Sequence, residues 1–221
     1  MSSPPTVEAA RYGSGKEVRR IEDPALLRGE GRFTDDLARA GQTHLVFLRS
    51  PYAHARILGV DTAAAKALPG VLAVFSGADL HAAGVKPIGP AVPFPRPDGK
   101  PGASAPRHPL ALDRVRYVGE AVAAVVAESR EAALDAAEAI LVDYEDLPAV
   151  TDPLAAMRPG APVLCEAAPD NIAAEMRHGD AAATEAAFAK AAHRVSLDLV
   201  NQRLAPASME PRVVLAETDA A

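Results

Sequence analysis

Strand-like alternation and short helical windows follow one another along most of this chain. His44 to Arg49 (HLVFLR) reads as a strand and Ala55 to Val60 (ARILGV) as a second, with Ser50-Pro51-Tyr52 turning the chain between them. Asp61 is placed to cap a short helix through Leu68, which Pro69-Gly70 ends before a third strand, Val71 to Phe75. Farther on, Val115 and Tyr117 alternate with Arg114 and Arg116, and the pattern then becomes the continuous run AVAAVVA from Ala121 to Ala127. A run without a polar face predicts a strand covered on both sides, so this stretch reads as an edge strand entering a sheet centre, with Gly119 as a bulge at the change. Ser129 then caps the helix REAALDAAEA, ILVDYE returns as a strand, and Leu147-Pro148 stops it.

The stretch from Thr151 to Asp170 is punctuated by prolines and reads as a crossing between two structural units. Beyond it, Ile172 to Arg177 reads as a strand and Asp180 caps the helix AAATEAAFAKA. His193 to Leu204 alternates Val195, Leu197 and Leu199 with polar neighbours, the pattern of a long half-buried strand, and Arg212 to Thr218 forms a last strand. The roughly 50 residues after the crossing fall below the size at which unstapled domains are comfortable alone. The expectation is that this second unit does not close its own core.

Two stretches lack either periodicity. Residues 1 to 18, with Pro4-Pro5 and Gly13-Ser14-Gly15, read as a loose arm. Val85 to His108 carries seven prolines around its one aromatic residue, Phe94. A loop of that length is either a functional lid or partner-binding loop, or a solvated surface insertion.

Composition narrows the chemistry. Of the 221 residues, 49 are alanine, nine are aromatic and none is tryptophan, so the core is built from small side chains. A net charge of -6 with both signs interspersed gives no electrostatic footprint for nucleic acid. The longest wholly apolar run, Ala121 to Ala127, is far short of a membrane span, and the charged N-terminus has no signal-peptide core, so a cytoplasmic location is expected. The single cysteine, Cys165, cannot hold an iron-sulfur cluster, which takes about four thiolates. The six histidines stand singly, without paired metal-ligand spacing, and read as structural or surface residues.

Motif chemistry is equally sparse. Gly29-Glu30-Gly31 begins a glycine-rich pattern, but position 34 is Thr and no strand precedes it, which excludes a dinucleotide-binding fingerprint. No nucleophile elbow, phosphate-binding lysine loop or paired-histidine zinc motif occurs. Asp35-Asp36 and Asp143 with Glu145-Asp146 are adjacent acids of the kind usual in turns and caps. Two carboxylates are candidates for facing a cleft. Glu120, ahead of the apolar strand, would have its pKa raised by burial or would stand in water at an edge. Glu210 either faces a cleft or pairs with Arg212.

Six phrases taken in order resemble one family: EDPALLRGEGRFTDDL (22 to 37), HLVFLRSPYAHARI (44 to 57), LPGVLAVFSGADL (68 to 80), HPLALDRVRYVGEAVAAVVAES (108 to 129), AILVDYEDLPAVTDP (139 to 153) and NQRLAPASMEPR (201 to 212). The chain resembles the N-terminal part of the molybdopterin-binding large subunit of molybdenum hydroxylases of the xanthine dehydrogenase, aldehyde oxidase and carbon monoxide dehydrogenase type. The resemblance implies an α+β protein, an α/β-hammerhead domain followed by an incomplete α+β molybdopterin-binding segment. The corresponding division is an arm over 1–22, the hammerhead over 23–150, a linker over 151–164 and the start of the molybdopterin-binding domain over 165–221.

The family's activity, hydroxylation of an aldehyde, N-heterocycle or similar small substrate with water-derived oxygen, implies an oxidoreductase in which this chain is scaffold. Family residues that bind the cofactor and the catalytic glutamate have no matching position here, so no catalytic, cofactor-binding or metal-binding residue is carried over and the chain alone is expected to be inactive. The implied cofactor of the complete enzyme is molybdenum-molybdopterin in its cytosine dinucleotide form, with FAD and 2Fe-2S clusters on partner subunits or domains and none bound by this chain alone. The implied partners are the remainder of the large subunit, FAD-binding and iron-sulfur subunits, and a small-molecule substrate. The loop from Val85 to His108 occupies a hammerhead position that can border the substrate funnel, which makes Phe94 and Arg107 candidates for substrate access; the alternative is a surface loop with one buried anchor. Two competing readings are a non-catalytic hammerhead module for partner binding or assembly, and a truncated inactive gene product.

Overall fold

In a computed structural model, residues 20–89, 94–103, 106–202, 204–208 and 210–218 are described. Most of the arm expected over 1–22 lies outside them. In chain order the elements are α1 (Asp23–Leu27), a 3-10 turn (Thr34–Asp36), β1 (His44–Arg49), β2 (Ala55–Asp61), α2 (Ala63–Lys66), β3 (Val71–Ser76) and α3 (Gly77–Ala82). They continue with β4 (Arg114–Val115), β5 (Ala121–Ala127), α4 (Arg130–Glu138), β6 (Leu141–Asp146), α5 (Pro153–Ala156) and α6 (Ala181–Lys190). The chain divides into two compact units, residues 41–198 and residues 1–40 with 199–221.

The larger unit is mixed α and β, built on two three-stranded antiparallel sheets of order β1-β5-β3 and β4-β2-β6. The apolar run of β5 takes the centre of the first sheet. It pairs with β1 from His44↔Ala127 to Arg49↔Ala121 and with β3 from Val71↔Ala127 to Ser76↔Ala123. A helix covers this sheet closely because its contact face is alanine: Ala133, Ala136 and Ala137 of α4 are buried in one cluster with Ala123, Val125 and Ala127 of β5. The helix starts where the sequence predicts, with Ser129 Oγ accepting the Ala132 N–H at 3.1 Å.

In the second sheet β2 is central, paired with β6 from Ala55↔Asp146 to Asp61↔Leu141 and with β4 over only two positions. Its core of Ala55, Ala111 and Val115 closes on Val122, which belongs to β5 of the first sheet, so the strand that centres one sheet also seals the core of the other. Full burial of a valine such as Val122 or Val125 is worth about 2 kcal/mol.

Three expectations require correction. Residues 114–117 do not run on into β5: Arg114 and Val115 join the second sheet, and Gly119, at φ 91°, reverses the chain in a turn rather than a bulge. The turn is fixed by Ser50, whose carbonyl accepts from Gly119 N–H and whose N–H donates to the Glu120 carbonyl, both at 2.8 Å. The strands expected over 172–177, 193–204 and 212–218 are absent among the described residues. Val195 is 93% and Leu199 82% exposed. Alternation specifies which face of a strand is apolar, but a strand also needs a continuous ladder with a neighbouring backbone: residues 172–177 make only the separate bonds from Ala103 N–H to the Ala173 carbonyl and from Glu175 N–H to the Pro95 carbonyl, and no ladder over 193–204 or 212–218 forms among the described residues. Asp180 does cap α6 through Ala183 N–H at 2.9 Å, yet α6 buries no residue.

In the smaller unit, Glu210 accepts from the N–H and Oγ1 of Thr34 at 3.3 Å, and Arg39 lies 3.8 Å from Glu217.

Packing leaves no room for a side chain at Gly77. A Cβ on Gly77 would collide with the Ala111 carbonyl, whereas one on Gly89 would meet nothing. Gly77→Ala is therefore expected to lower stability by about 2 kcal/mol or more and Gly89→Ala to change it by less than about 0.5 kcal/mol, as measured by urea denaturation.

Candidate functional site

Polar chemistry in the larger unit gathers at a cleft of about 290 Å³ lined by His108, Asp113, Arg114, Arg116, Glu120 and Glu166 among others. The local fold aims these residues. Ser50 holds both sides of the turn at Gly119, so Glu120 emerges at a fixed point just before β5 and its Oε2 accepts the Arg116 N–H at 2.6 Å. Burial raises the Glu120 pKa above the ordinary carboxyl value, opposed by the Arg116 N–H and guanidinium and reinforced by Asp113. Arg116 Nε donates to the Leu164 carbonyl at 3.0 Å, and Arg114 Nη2 stands 3.9 Å from Glu166 Oε1.

A second polar feature lies in the proline-rich loop. Arg96 is only 7% exposed, and its Nη1 donates to the Ile172 carbonyl at 2.7 Å while Nη2 pairs with Asp170 Oδ1 at 2.8 Å. Backbone bonds flank it, from Ala103 N–H to the Ala173 carbonyl and from Glu175 N–H to the Pro95 carbonyl, both 2.8 Å. Pro97-Asp98-Gly99 makes this possible: Gly99, at φ 78°, turns the chain so that Arg96 N–H reaches the Lys100 carbonyl at 2.8 Å. The Arg96 side chain lowers the Asp170 pKa below its ordinary value, followed in effect by the Ile172 N–H. Nearby, Asn171, at φ 58°, donates to the carbonyls of Ala156 and Pro162 and accepts from Leu164 N–H, which fixes the stretch before it.

Of the four residues singled out from the sequence, Glu120 lines the cleft. Phe94 is 38% exposed at the start of the Arg96 loop segment. Arg107 is exposed and donates to the Gly89 carbonyl at 3.1 Å, beside an isolated bridge to Ile88. Glu210 belongs to the smaller unit, on Thr34. Sequence reasoning missed Arg96 and Arg114. Arg96 carried one readable signal, its place immediately before a Pro-Asp-Gly turn; Arg114 carried none, because its burial depends on pairing with a distant strand. His54, which the sequence reads as structural or surface, is 5% exposed; its Nδ1 donates to the Pro148 carbonyl at 2.7 Å, and its buried Nε2 has no partner among the described residues.

Among the described residues no three His, Cys, Asp or Glu side chains gather so as to hold a metal ion, and no helix is long and apolar enough to cross a membrane. Residues 28–148 match the profile of the aldehyde oxidase and xanthine dehydrogenase a/b hammerhead domain, and residues 164–221 that of a molybdopterin cofactor-binding domain. The chain belongs to the aldehyde oxidase and xanthine dehydrogenase family, the molybdopterin-binding oxidoreductases. It is 42% identical over 208 residues to the nicotine 6-hydroxylase large subunit of Paenarthrobacter nicotinovorans, covering 92% of this chain and 24% of that protein. It is 38% identical over 220 residues to the carbon monoxide dehydrogenase large chain of Afipia carboxidovorans, covering 94% and 26%. Among solved structures, a Cu,Mo-CO dehydrogenase in its carbon monoxide reduced state matches at 37% identity with a TM-score of 0.61, over 81% of this chain and 23% of that one. The chain spans about a quarter of the length of the curated relatives it matches.

The Arg96 clasp makes the loop segment 94–103 part of a fixed surface. Arg96→Ala is expected to lower the hydrogen-exchange protection of the Ala103 and Glu175 amides by about tenfold or more. Because the Asp170 pKa is depressed in the folded state, its contribution is present above the ordinary aspartate value and lost as pH falls through the lowered one. The Ala103 amide resonance should follow that acid titration in the wild type, and Asp170→Asn should abolish the dependence.

Proposed function

We propose that this chain serves as part of the large subunit of a molybdenum hydroxylase, an oxidoreductase that hydroxylates an aldehyde, N-heterocycle or similar small substrate with water-derived oxygen. The observation that carries the reading is the presence of the two family matches in order on one chain, hammerhead then molybdopterin-binding. The division into an arm over 1–22, a hammerhead over 23–150, a linker over 151–164 and a molybdopterin-binding segment from 165 is the corresponding proposal. The Arg96 clasp then joins the hammerhead loop to the first residues of the molybdopterin-binding segment, because Asp170, Ile172 and Ala173 lie beyond the linker.

The role assigned to this chain is positional. Its two sheets and the clasp fix surfaces against which a cofactor-bearing remainder would pack. The alternating apolar residues Val195, Leu197 and Leu199, 93%, 75% and 82% exposed, support such packing, since apolar alternation at that exposure is favourable only when another backbone and another apolar layer cover it. In the complete enzyme the cofactor is molybdenum-molybdopterin in the cytosine dinucleotide form, and FAD and 2Fe-2S clusters reside on partner subunits or domains, in the cytoplasm. Phe94 and Arg107 are assigned to substrate access, on the loop that Arg96 anchors.

Isolation of the chain from its native cells under mild conditions tests the proposal. Recovery with molybdenum, flavin and iron-sulfur polypeptides is the expected result. A stable metal-free monomer of 22.9 kDa would contradict it and favour the non-catalytic module.

A further inference from the structure

The fold brings two histidines together at the base of the proline-rich loop. His81 sits in the last turn of α3, before the loop, and His108 ends it, yet their ring centroids are 6.4 Å apart with the ring planes at 77°. Local structure fixes both sides of this pair. The start of α3 is held by its capping box, in which Ser76 and Asp79 bond each other, and Gly77 brings the helix against the Ala111 carbonyl, just past His108. From the loop side, Ile88 N–H donates to the Arg107 carbonyl at 2.8 Å and closes the chain one residue before His108.

The ring nitrogens of this pair are open to a ligand. Neither ring makes a hydrogen bond or an ion pair among the described residues, and an edge-to-face contact between rings does not consume a nitrogen lone pair. Both rings are reached from solvent, His81 being exposed and His108 half-buried. Neutral imidazole is the commonest protein ligand for late first-row cations, whereas Mg²⁺ takes oxygen ligands. With metal–nitrogen bonds of about 2.0–2.1 Å, two imidazoles on one ion have centroids about 5 Å apart in a tetrahedral arrangement and about 6 Å apart when nearly opposed. The observed separation is close to the wider arrangement, and rotation of the exposed His81 ring reaches the narrower one. The neighbouring cation, Arg107, is turned to the Gly89 carbonyl.

We propose that His81 and His108 form a two-nitrogen site for a late first-row divalent cation such as Zn²⁺, with water completing the coordination. A bound ion joins the two ends of the loop that carries Phe94, Arg96 and Arg107, and so holds the loop's base closed. The inference rests on the geometry of the larger unit and not on the hydroxylase assignment.

The test is a titration of the full 221-residue chain with Zn²⁺, and with Mg²⁺ as control, followed through the histidine ring resonances at neutral pH or slightly above, since a ligating imidazole must be uncharged. The expected result is that the His81 and His108 signals move together on one saturable curve with Zn²⁺ and not with Mg²⁺, at concentrations that leave the exposed His178 and His193 unmoved. His81→Phe and His108→Phe keep an aromatic ring but remove its nitrogens. Each should weaken the response of the remaining histidine by about tenfold or more, because the second ligand on one scaffold acts at high effective concentration. Cys165→Ser, which removes the chain's one thiol, should leave the paired response unchanged. No joint movement, or a response of one ring that survives loss of the other, overturns the proposal and leaves an edge-to-face ring contact only. So does an equal response of His178 and His193 or of Mg²⁺, which would mean an adventitious ion only, and so does loss of the response in Cys165→Ser. Should either histidine variant fail to fold, the wild-type and Cys165→Ser curves still decide the matter.

Discussion

The contact between the alanine face of α4 and the central strand β5 is the constraint on which the larger unit depends. Ala133, Ala136 and Ala137 against Ala123, Val125 and Ala127 bring helix and sheet together with small side chains on both surfaces. A core of this kind gains little from any one residue and tolerates almost no added volume, since close-packed interiors have no room to absorb a methylene. Because Val122 of the same strand seals the second core, the two sheets share one strand's placement, and every loop that leaves them inherits its position from it.

From that frame the polar features follow in sequence. Ser50, just after β1, holds the turn at Gly119; the turn fixes Glu120 and Arg116; and Arg116 reaches across to Leu164, where the molybdopterin-binding match begins. The Arg96 clasp performs the same service from the opposite part of the sequence, through Asp170 and Ile172. A proline-rich loop is thus converted into a fixed surface by a single buried guanidinium with two partners, an economical way to anchor a segment that has no helix or strand of its own.

How much of this was legible in the sequence depended on whether the signal was local. β5 was readable because a run without polar residues has only one place in a sheet, and α4 because Ser129 and the alanines set its start and face. The entry of Arg114–Val115 into a different sheet from β5 was not readable, since it rests on pairing with Ala55 and Arg56 almost sixty residues earlier. The loop reading centred on Phe94 because aromatic residues usually anchor loops, yet the buried anchor is Arg96, whose burial depends on acceptors that only the folded chain brings to it. At 193–204 the local signal was present and the strand was not, because the apolar alternation of Val195, Leu197 and Leu199 states a requirement for a paired strand, and no ladder forms there among the described residues. Membership of the family was legible early, because six motifs in order constrain it more tightly than any periodicity.

Residues 193–204 carry the apolar alternation of a strand without forming one among the described residues, and the proposed large subunit would supply the neighbour that this pattern needs. Hydrogen exchange of that stretch, compared between the isolated chain and the same chain in its native complex, tests it most directly. Rapid exchange in isolation and strong protection on assembly, confined to amides that enter a ladder, are expected. Equal exchange in both states would contradict it.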